Sequence, residues 1–523
     1  MHPRPADCGQ SRRGGSSLLR DRGWSVPVAG GLALWCGVCA AQDTAEASRS
    51  IALQPSVNVE QTLTDNYRLD GANPESDAIT RLGAGISFRG RSGLVRGFLD
   101  YTLTGVLYAR HSEQNALQNA LNANLAADLI DDRLQLNLAA TISRGAISAF
   151  GVQPGVGTDA NSNTTEVRTL QISPTLRGPL GSGLRYSARL SHQISQADSG
   201  SVGDTDSTSA AIQVVPTTRG RLGWSVDGSH QQSSFKQGRN TQTDRLFGTL
   251  LLAVPELDLD LNASLGAEWT DQLTVDRRSH TNWGVGMVWA PSPVTRLSAE
   301  TQTRYYGRSH AVTLEHRTPR TVFRYRNARS ASTDGGPAIG GRGVAFDLLF
   351  AQFASVQPDP FLREQLVNRV LQQQNIDPRQ VVGAGFLQSA VSVQDAHEFS
   401  AAWTGPRNAA VLSLGRTKSR RLDPISAAVD DLSRTGEVVL DNLSLSLSHR
   451  LTPMSTVNLL ASVQRGSGTL ALQSSNQTLA SLQYSTRLTP DSTLGLSLRH
   501  ARYKTGLVPY DETAATATYG MRF

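Results

Sequence analysis

Residues 257–269 read LDLDLNASLGAEW, and this stretch decides the fold class. Its odd positions carry Leu, Ala and Trp, whereas its even positions carry Asp, Asn, Ser, Gly and Glu. Because successive side chains of a β-strand point to opposite faces, one face of this segment is apolar and the other is polar. The pattern predicts a strand that separates an apolar environment from water.

The same alternation recurs along the chain, for example in residues 134–143, 184–191 and 443–448. A soluble β-sandwich also alternates, so the length of the segments has to discriminate. Most segments run for about ten to thirteen residues, close to the roughly ten of a tilted transmembrane strand and above the five or six of globular strands. We therefore expect an all-β chain whose strands cross a membrane.

Connections between these segments alternate between short and long. Short turns are predicted at 131–132, 255–256, 290–293, 318–319, 452–455 and 489–492. Longer polar links are predicted at 145–163, 196–206, 418–436 and 504–512. Outer-membrane barrels combine tight periplasmic turns with extended outer loops, so we expect a transmembrane antiparallel up-and-down β-barrel of about 22 strands, within bounds of about 20 and 24. An even strand number places both termini in the periplasm.

The last segment, TAATATYGMRF at residues 513–523, alternates up to the final residue. Tyr519, Met521 and Phe523 fall on its apolar face. A terminal Phe with apolar residues two and four positions earlier resembles the signal that the barrel assembly machinery reads. We expect these three residues to form an assembly signal, and the localisation to be the outer membrane of a Gram-negative cell, in contact with lipid and lipopolysaccharide.

One part of the chain, residues 327–390, departs from the strand pattern. Residues 359–374 have helical spacing of apolar side chains, with an Asp-Pro pair at the start and another just beyond the end. The alternation of turns places this insertion at the outer side of the barrel. From the sequence alone, it either folds into the lumen or stands above the mouth.

The amino end, residues 1–41, reads as a cleaved signal peptide because a basic region precedes an apolar stretch and small residues. The expected barrel is residues 42–523. All three cysteines, Cys8, Cys36 and Cys39, precede the proposed cut, which excludes a disulfide framework and a Cys metal site. Removing five arginines and two aspartates lowers the net charge from +6 to +3, so nucleic acid is not an expected partner.

No catalytic motif, metal-ligand spacing or phosphate-binding glycine loop stands out, so we expect neither an enzyme nor a bound cofactor. The ten histidines are scattered singly, which is typical of surface or interfacial positions. Strands begin by residue 51, which leaves no room after the signal peptide for a plug domain of the kind that closes energised siderophore receptors. We therefore do not expect energy-coupled uptake.

The inner face of the barrel is the best functional surface that the sequence offers. Two interpretations stay open: a polar path for an anionic or sugar-rich solute, or cross-strand salt bridges that brace the interior. The side chains predicted to line the lumen are Arg185, Arg189, Asp227, Asp258, Asp260, Glu268, Arg296, Glu300, Arg304, Glu315, Arg324, Arg326 and Arg499.

Several stretches resemble the outer-membrane barrel family associated with the PEP-CTERM sorting and exopolysaccharide system. They are PSVNVEQTLTDN (55–66), YGRSHAVTLEHRTPRT (306–321), LLFA (348–351), PDP (358–360) and TGPRN (404–408). The resemblance implies an envelope context and components of exopolysaccharide export as partners. It assigns no catalytic residue.

Three functions follow from the sequence. The first is a barrel for exopolysaccharide or PEP-CTERM protein export, with the barrel itself as the conduit. The second is a general or solute-selective diffusion porin. The third is a surface scaffold or adhesin that acts through its loops and the 327–390 insertion.

Overall fold

The alternating segments form 22 antiparallel strands, and each strand pairs with its neighbour in the chain. The structure is a computed structural model that describes residues 50–131, 133–152, 162–198, 202–218, 220–332, 349–351, 353, 363, 366–367, 385–424, 430–470, 473–505 and 509–523. The predicted signal peptide lies outside these residues. Among the described residues, no helix combines the length and apolarity needed to cross a bilayer.

The strands are β1 (Ser50–Thr64), β2 (Asp77–Arg91), β3 (Val95–Tyr108), β4 (Ala116–Ile130), β5 (Leu134–Ala146), β6 (Thr164–Leu180), β7 (Leu184–Ala197), β8 (Thr205–Pro216), β9 (Leu222–Phe235), β10 (Thr241–Val254), β11 (Leu259–Thr270), β12 (Arg278–Ser292), β13 (Thr295–Arg304), β14 (Gly307–Arg317), β15 (Thr321–Ser332), β16 (Ser392–Thr404), β17 (Asn408–Arg421), β18 (Glu437–Arg450), β19 (Ser455–Gly468), β20 (Ser474–Thr489), β21 (Ser492–Thr505) and β22 (Pro509–Arg522). Two short 3-10 turns, at Ser112–Gln114 and Pro255–Leu257, and the helix α1 (Asp431–Thr435) lie between strands.

The first and last strands close the barrel. β1 and β22 pair over nine positions, from Ser56 opposite Arg522 to Thr64 opposite Ala514. The backbone N–H of Phe523 extends this seam by donating to the carbonyl of Pro55 at 3.0 Å. Closure pairs the strand edges that an open sheet would leave free, as a membrane barrel requires. The prediction of a 22-stranded antiparallel barrel is confirmed.

The connections sort into two ends. At the short-turn end, even-numbered strands pass to the next odd-numbered strand through tight turns, and β1 begins and β22 ends there. At the long-loop end the links include residues 147–163, 333–391 and 422–436. Two connections at the long-loop end are short: Tyr305 and Tyr306 form a two-residue turn, and only residues 506–508 join β21 to β22, where a longer link at 504–512 was predicted.

An apolar belt surrounds the barrel. Outward side chains such as Leu250 and Leu265 are 61% and 65% exposed, whereas Ser and Thr dominate the inner face of the same wall. Exposed leucines of this density suit contact with lipid chains, and an inward polar face suits a hydrated lumen. The chain has the architecture of an outer-membrane β-barrel.

The boundaries of the insertion differ from the prediction. Residues 327–332 belong to β15, because Asn327 and Ser332 pair with His397 and Ser392 of β16. Their Asn-Ala-Arg-Ser-Ala-Ser sequence carries no strong alternation, so the strand is defined by its partner and not by its own side chains. The connection therefore comprises residues 333–391. Of the predicted helix at 359–374, only Arg363, Leu366 and Val367 are described, and they are helical.

Candidate functional site: the lumen and its internal segment

The lumen wall of β6 to β9 is lined by neutral hydroxyl and amide groups. Ser173 and Ser191 share a hydrogen bond of 2.8 Å between their hydroxyls, and the Gln171 amide donates to Ser191 at 2.9 Å. Further along, the Gln213 amide donates to the Asp227 carboxylate at 2.7 Å. These inward positions follow from the period of two, since Leu170, Leu190 and their neighbours point outward. The result is a polar wall in which hydroxyl and amide groups outnumber the charged Arg185, Arg189 and Asp227.

A charged cluster stands on the wall of β10 to β13, near the long-loop end. Glu268 is fully buried, and the Arg304 guanidinium donates to both of its carboxylate oxygens at 2.6 and 3.0 Å. The Asn282 amide donates to the same carboxylate at 2.8 Å, and Arg245 lies 3.9 Å from it. A bidentate pair with an added amide donor satisfies a buried carboxylate, so this cluster braces the wall.

A second cluster stands at the seam of the barrel. Glu512 of β22 is fully buried, accepts a hydrogen bond from Thr64 at 2.9 Å and pairs with Arg499 at 2.7 Å. Thr64 belongs to β1, so the cluster ties the first strand to the last two. Glu512 was missed in the sequence, although it shares the alternation of Thr516 and Thr518 on the inner face.

The structure places most of the predicted lumen side chains on the inner face but brings only some of them together. Glu315 and Arg324 are paired at 2.9 Å, and Arg189 donates to the hydroxyl of Thr175 at 3.2 Å. The remaining predicted positions that share the inward alternation are Arg185, Asp260, Arg296, Glu300 and Arg326. Glu315 and Arg324 meet between neighbouring strands, whereas Arg304 of β13 reaches past β12 to Glu268 of β11.

Asp258 is a correction to the predicted set. It lies in the turn at the short-turn end, with a φ of 47°, and not in the wall of the lumen. The preceding Pro255 starts a 3-10 turn, and Asp258 ends it in the left-handed conformation that Asp tolerates better than most residues. The strand begins one residue later, at Leu259.

Part of the 333–391 segment packs inside the barrel at the short-turn end. Leu349 and Val367 are buried in one cluster with Val322 of β15 and with Ala402 and Val411 of β16 and β17. These wall residues lie next to the short turns, on the inner face, because Phe323 and Trp403 point outward. The segment leaves and rejoins the wall at the long-loop end, so Leu349 and Val367 lie at the end of the barrel opposite to both junctions.

A later part of the same segment contacts the opposite wall. The backbone N–H of Leu387 donates to the carbonyl of Ala146 at the end of β5 at 3.0 Å. Its side chain is buried against Val167 and Ala197 of β6 and β7. Gly203 has a φ of +93°, and a Cβ there would lie 2.9 Å from a methyl of Leu387. β5–β7 lie ten strands before β15–β17 in a ring of 22, so the segment crosses the mouth.

Two aspartates at the start of α1 hold the crossing segments together. The Asp431 carboxylate accepts from the hydroxyl of Ser148 at 2.8 Å and from the backbone N–H of Ala149 at 2.7 Å. Asp430 accepts from the backbone N–H of Ser389 at 2.8 Å. We call this arrangement of Ser148, Ala149, Ser389, Asp430 and Asp431 the mouth latch. It joins the β5–β6 loop, the 333–391 segment and the β17–β18 loop.

The latch contains a perturbed carboxyl group. Burial raises the pKa of Asp431 above its ordinary value, and the hydrogen bonds from Ser148 and Ala149 oppose that shift only in part. The Asp431 carboxylate accepts two hydrogen bonds, but burial removes the water molecules that would hydrate its charge. The latch is therefore more favourable when Asp431 is protonated.

Within the described residues, no three His, Cys, Asp or Glu side chains converge as metal ligands would. The sequence left open whether the insertion enters the lumen or stands above the mouth, and its described residues lie within the barrel and across its mouth. The described residues of the segment thus occupy part of a polar lumen. Apolar contacts of Leu349 and Val367 hold the segment at the short-turn end, and the mouth latch holds it at the long-loop end.

Comparison with known proteins gives a fold likeness and no family. No family model and no curated protein matches the chain. Among solved structures, the FrpB iron transporter of Neisseria meningitidis (F3-3 variant) is 10% identical, with 90% of this chain and 81% of that chain covered and a TM-score of 0.46. The ferric-catecholate import receptor Fiu of E. coli K12 gives the same identity, coverage and score.

OccK5 (OpdH) of Pseudomonas aeruginosa is 11% identical, with 90% and 98% of the two chains covered and a TM-score of 0.33. These likenesses concern the barrel fold alone.

Proposed function

We propose that the protein is a normally closed outer-membrane conduit for a hydrophilic cargo. The observation that carries the proposal is the position of the 333–391 segment, which packs at the short-turn end through Leu349 and Val367 and crosses the mouth through Leu387. A segment anchored at both ends of the lumen obstructs the path through it. Such an obstruction suits a conduit that opens only for its cargo.

The sequence resemblance supplies the cargo in this proposal, namely exopolysaccharide or proteins of the PEP-CTERM system. The hydroxyl and amide wall of β6 to β9 supports a hydrated, weakly charged cargo, because such groups exchange hydrogen bonds with water and with sugars at low cost. In this orientation the short-turn end faces the periplasm, with both termini, and the barrel assembly machinery recognises the last strand.

Conductance in planar bilayers tests the closed state. Ser332 and Ser392 are register partners, so an Asn-Gly turn can replace residues 333–391 without moving either strand. We expect the full chain to be nearly silent and the shortened chain to conduct steadily. Heat-modifiable migration on a gel shows that each protein is folded. A full chain that conducts as steadily as the shortened one would contradict the proposal.

The cargo is tested in cells. Deleting the gene should reduce surface polysaccharide or the surface display of PEP-CTERM proteins, and the full-length gene should restore both. Unchanged yield and composition of polymer, together with unchanged protein display, would remove the export role while leaving the closed conduit intact.

A diffusion porin is the second candidate, and the polar inner wall favours it. Gln213, Asp227 and Ser191 give the lumen the hydrogen-bonding surface that a solute path needs. The same recordings separate the two functions, because a porin conducts without partners and saturates with its preferred solute.

A further inference from the structure

A row of polar and charged side chains crosses the outer surface of the barrel near the long-loop end. Neighbouring strands from β15 to β21 place these residues directly opposite one another, in the order Asn327, His397, Arg416, Asp441, Arg465, Asn476 and Lys504. All point outward, since they share the alternation of exposed Leu414, Leu443 and Leu498. We call Arg416, Arg465 and Lys504 the outer cation row.

Cations exceed carboxylates on this face. The outward side chains near the long-loop end of β15 to β22 include seven cations and four carboxylates, which are Arg329, Arg416, Lys418, Arg420, Arg465, Arg502, Lys504, Asp395, Glu437, Asp441 and Asp511. Lys418 pairs with Glu437 at 2.8 Å, Arg502 pairs with Asp511 at 2.7 Å, and Arg416 pairs more loosely with Asp441 at 3.6 Å. Among the described residues, Arg465 and Lys504 have no carboxylate at salt-bridge distance.

The cations stand directly above the apolar belt. Two residues closer to the short-turn end, the same strands present Leu414, Leu443 and Val463 outward. Apolar side chains at that level match lipid chains, so the row lies at the level of the headgroups of one leaflet. One continuous surface therefore offers apolar side chains to the acyl chains of a lipid and cations to its anionic headgroup.

The opposite side of the barrel has the reverse balance. On β6 to β10 the outward positions near the long-loop end carry Glu166, Asp206 and Asp244, with Arg168 held between Glu166 and the neighbouring Asp198. The excess of cations is thus a property of one face and not of the whole rim.

We propose that the outer cation row binds the phosphate groups of lipid A, the membrane-embedded part of lipopolysaccharide. Arg416 and Arg465 present guanidinium groups that can hold a phosphate through two parallel hydrogen bonds, and Lys504 adds a point charge. The apolar belt below would receive the acyl chains. The site concerns the lipid-facing surface, so it is independent of the proposed closed conduit.

The test measures binding of lipid A to the purified, folded barrel in a non-ionic detergent, by native mass spectrometry. The variant R416Q/R465Q/K504Q removes the three charges, and R168Q, an equally exposed arginine on the opposite side, is the matched control. Each cation near an anionic lipid surface contributes roughly fivefold, so we expect the triple variant to bind bisphosphorylated lipid A on the order of a hundredfold more weakly. R168Q should bind as the unmodified protein does.

Two further ligands identify the source of the phosphate. Dephosphorylated lipid A should bind the unmodified protein and the triple variant equally weakly, and millimolar inorganic phosphate should not displace bisphosphorylated lipid A. Equal binding of bisphosphorylated lipid A to the folded triple variant overturns the proposal. Displacement by inorganic phosphate also overturns it, because the row would then be a site for the free anion. Heat-modifiable migration shows that the triple variant is folded.

Discussion

At the residue scale, the inner wall contains carboxylates that no water reaches. Glu268 holds Arg304 and Asn282 and lies beside Arg245, so two cations depend on one carboxylate. Removing one partner of a buried pair leaves the other charge without compensation, which is far more costly than losing an exposed pair. Such clusters fix which strands stand next to each other.

Replacing Glu268 with Gln tests this role. We expect a loss of about 3–5 kcal/mol in the free energy of unfolding, because Arg304 keeps its burial and loses its carboxylate. Urea unfolding in detergent, followed by gel migration, measures it. R221Q is the control, since the Arg221–Glu256 pair is largely exposed and should contribute little. Equal midpoints for both variants would show that Glu268 does not brace the wall.

Substitution of Phe523 distinguishes a role in membrane assembly from a role in the stability of the folded barrel. Its side chain is 66% exposed, whereas its backbone N–H holds the seam at Pro55, so F523A keeps the hydrogen bond. We expect refolding in detergent to be unchanged and the amount of folded barrel in the outer membrane to fall several-fold. Quantitative blotting of membrane fractions measures the second effect. Equal amounts in the membrane would exclude Phe523 from the assembly signal.

At the scale of elements, the short helix α1 controls the mouth through its first turn. Asp430 caps the helix by accepting from the backbone N–H of Ser433 at 2.8 Å, and also holds Ser389. Asp431 faces the β5–β6 loop. One turn of helix therefore connects three loops, and the strength of that connection depends on the protonation of a buried carboxyl.

Acid should tighten the mouth latch. Burial raises the pKa of Asp431 in the closed mouth above its ordinary value of 3.8, and nearby Asp430 adds to the effect while Arg434 opposes it. Protonation thus favours closure: the contribution is fully present below about pH 4 and is lost as the pH rises through the raised pKa. We expect channel openings to become rarer as the pH is lowered from 7 toward 4.

The variant D431N should remove this pH dependence, because its amide oxygen still accepts from Ala149 but does not titrate. D198N, which changes an exposed carboxylate at the same end, should leave it intact. Openings of D431N that still respond to pH as the unmodified protein does would assign the dependence to another group.

At the scale of the whole molecule, the barrel and the 333–391 segment form a body that is anchored twice. One anchor is apolar, at the short-turn end around Leu349 and Val367. The other is polar, at the mouth around Asp430 and Asp431. A segment held at two ends opens the lumen fully only when both anchors release.

Combined substitutions test the double anchor. L349A/V367A weakens the apolar anchor, since truncating a buried Leu alone costs about 2–5 kcal/mol, and D431A weakens the latch. Each change by itself should raise bilayer conductance only modestly, and the two together should exceed the sum of their separate effects. Purely additive conductances would show that the two ends act independently.

The sequence by itself determined the barrel. The 22 antiparallel strands follow from the alternation seen in residues 257–269, from the turn spacing and from the terminal strand. One face of each strand contacts lipid and the other contacts water, so the polarity of each side chain indicates the face on which it lies. It also indicated most inward positions, such as Glu268 and Arg499. These are local properties, repeated at a period of two.

Only the tertiary structure decided which loops meet across the mouth. Leu387 meets Ala146 and Asp431 meets Ser148 across hundreds of residues and about half of the ring of strands, and no local period encodes such contacts. The hydrogen bond from Thr64 to Glu512 likewise depends on closure of the first strand against the last. The barrel wall follows from the difference between lipid and water on the two faces of each strand. The contacts at the mouth depend on which loops the circle of strands brings close to one another.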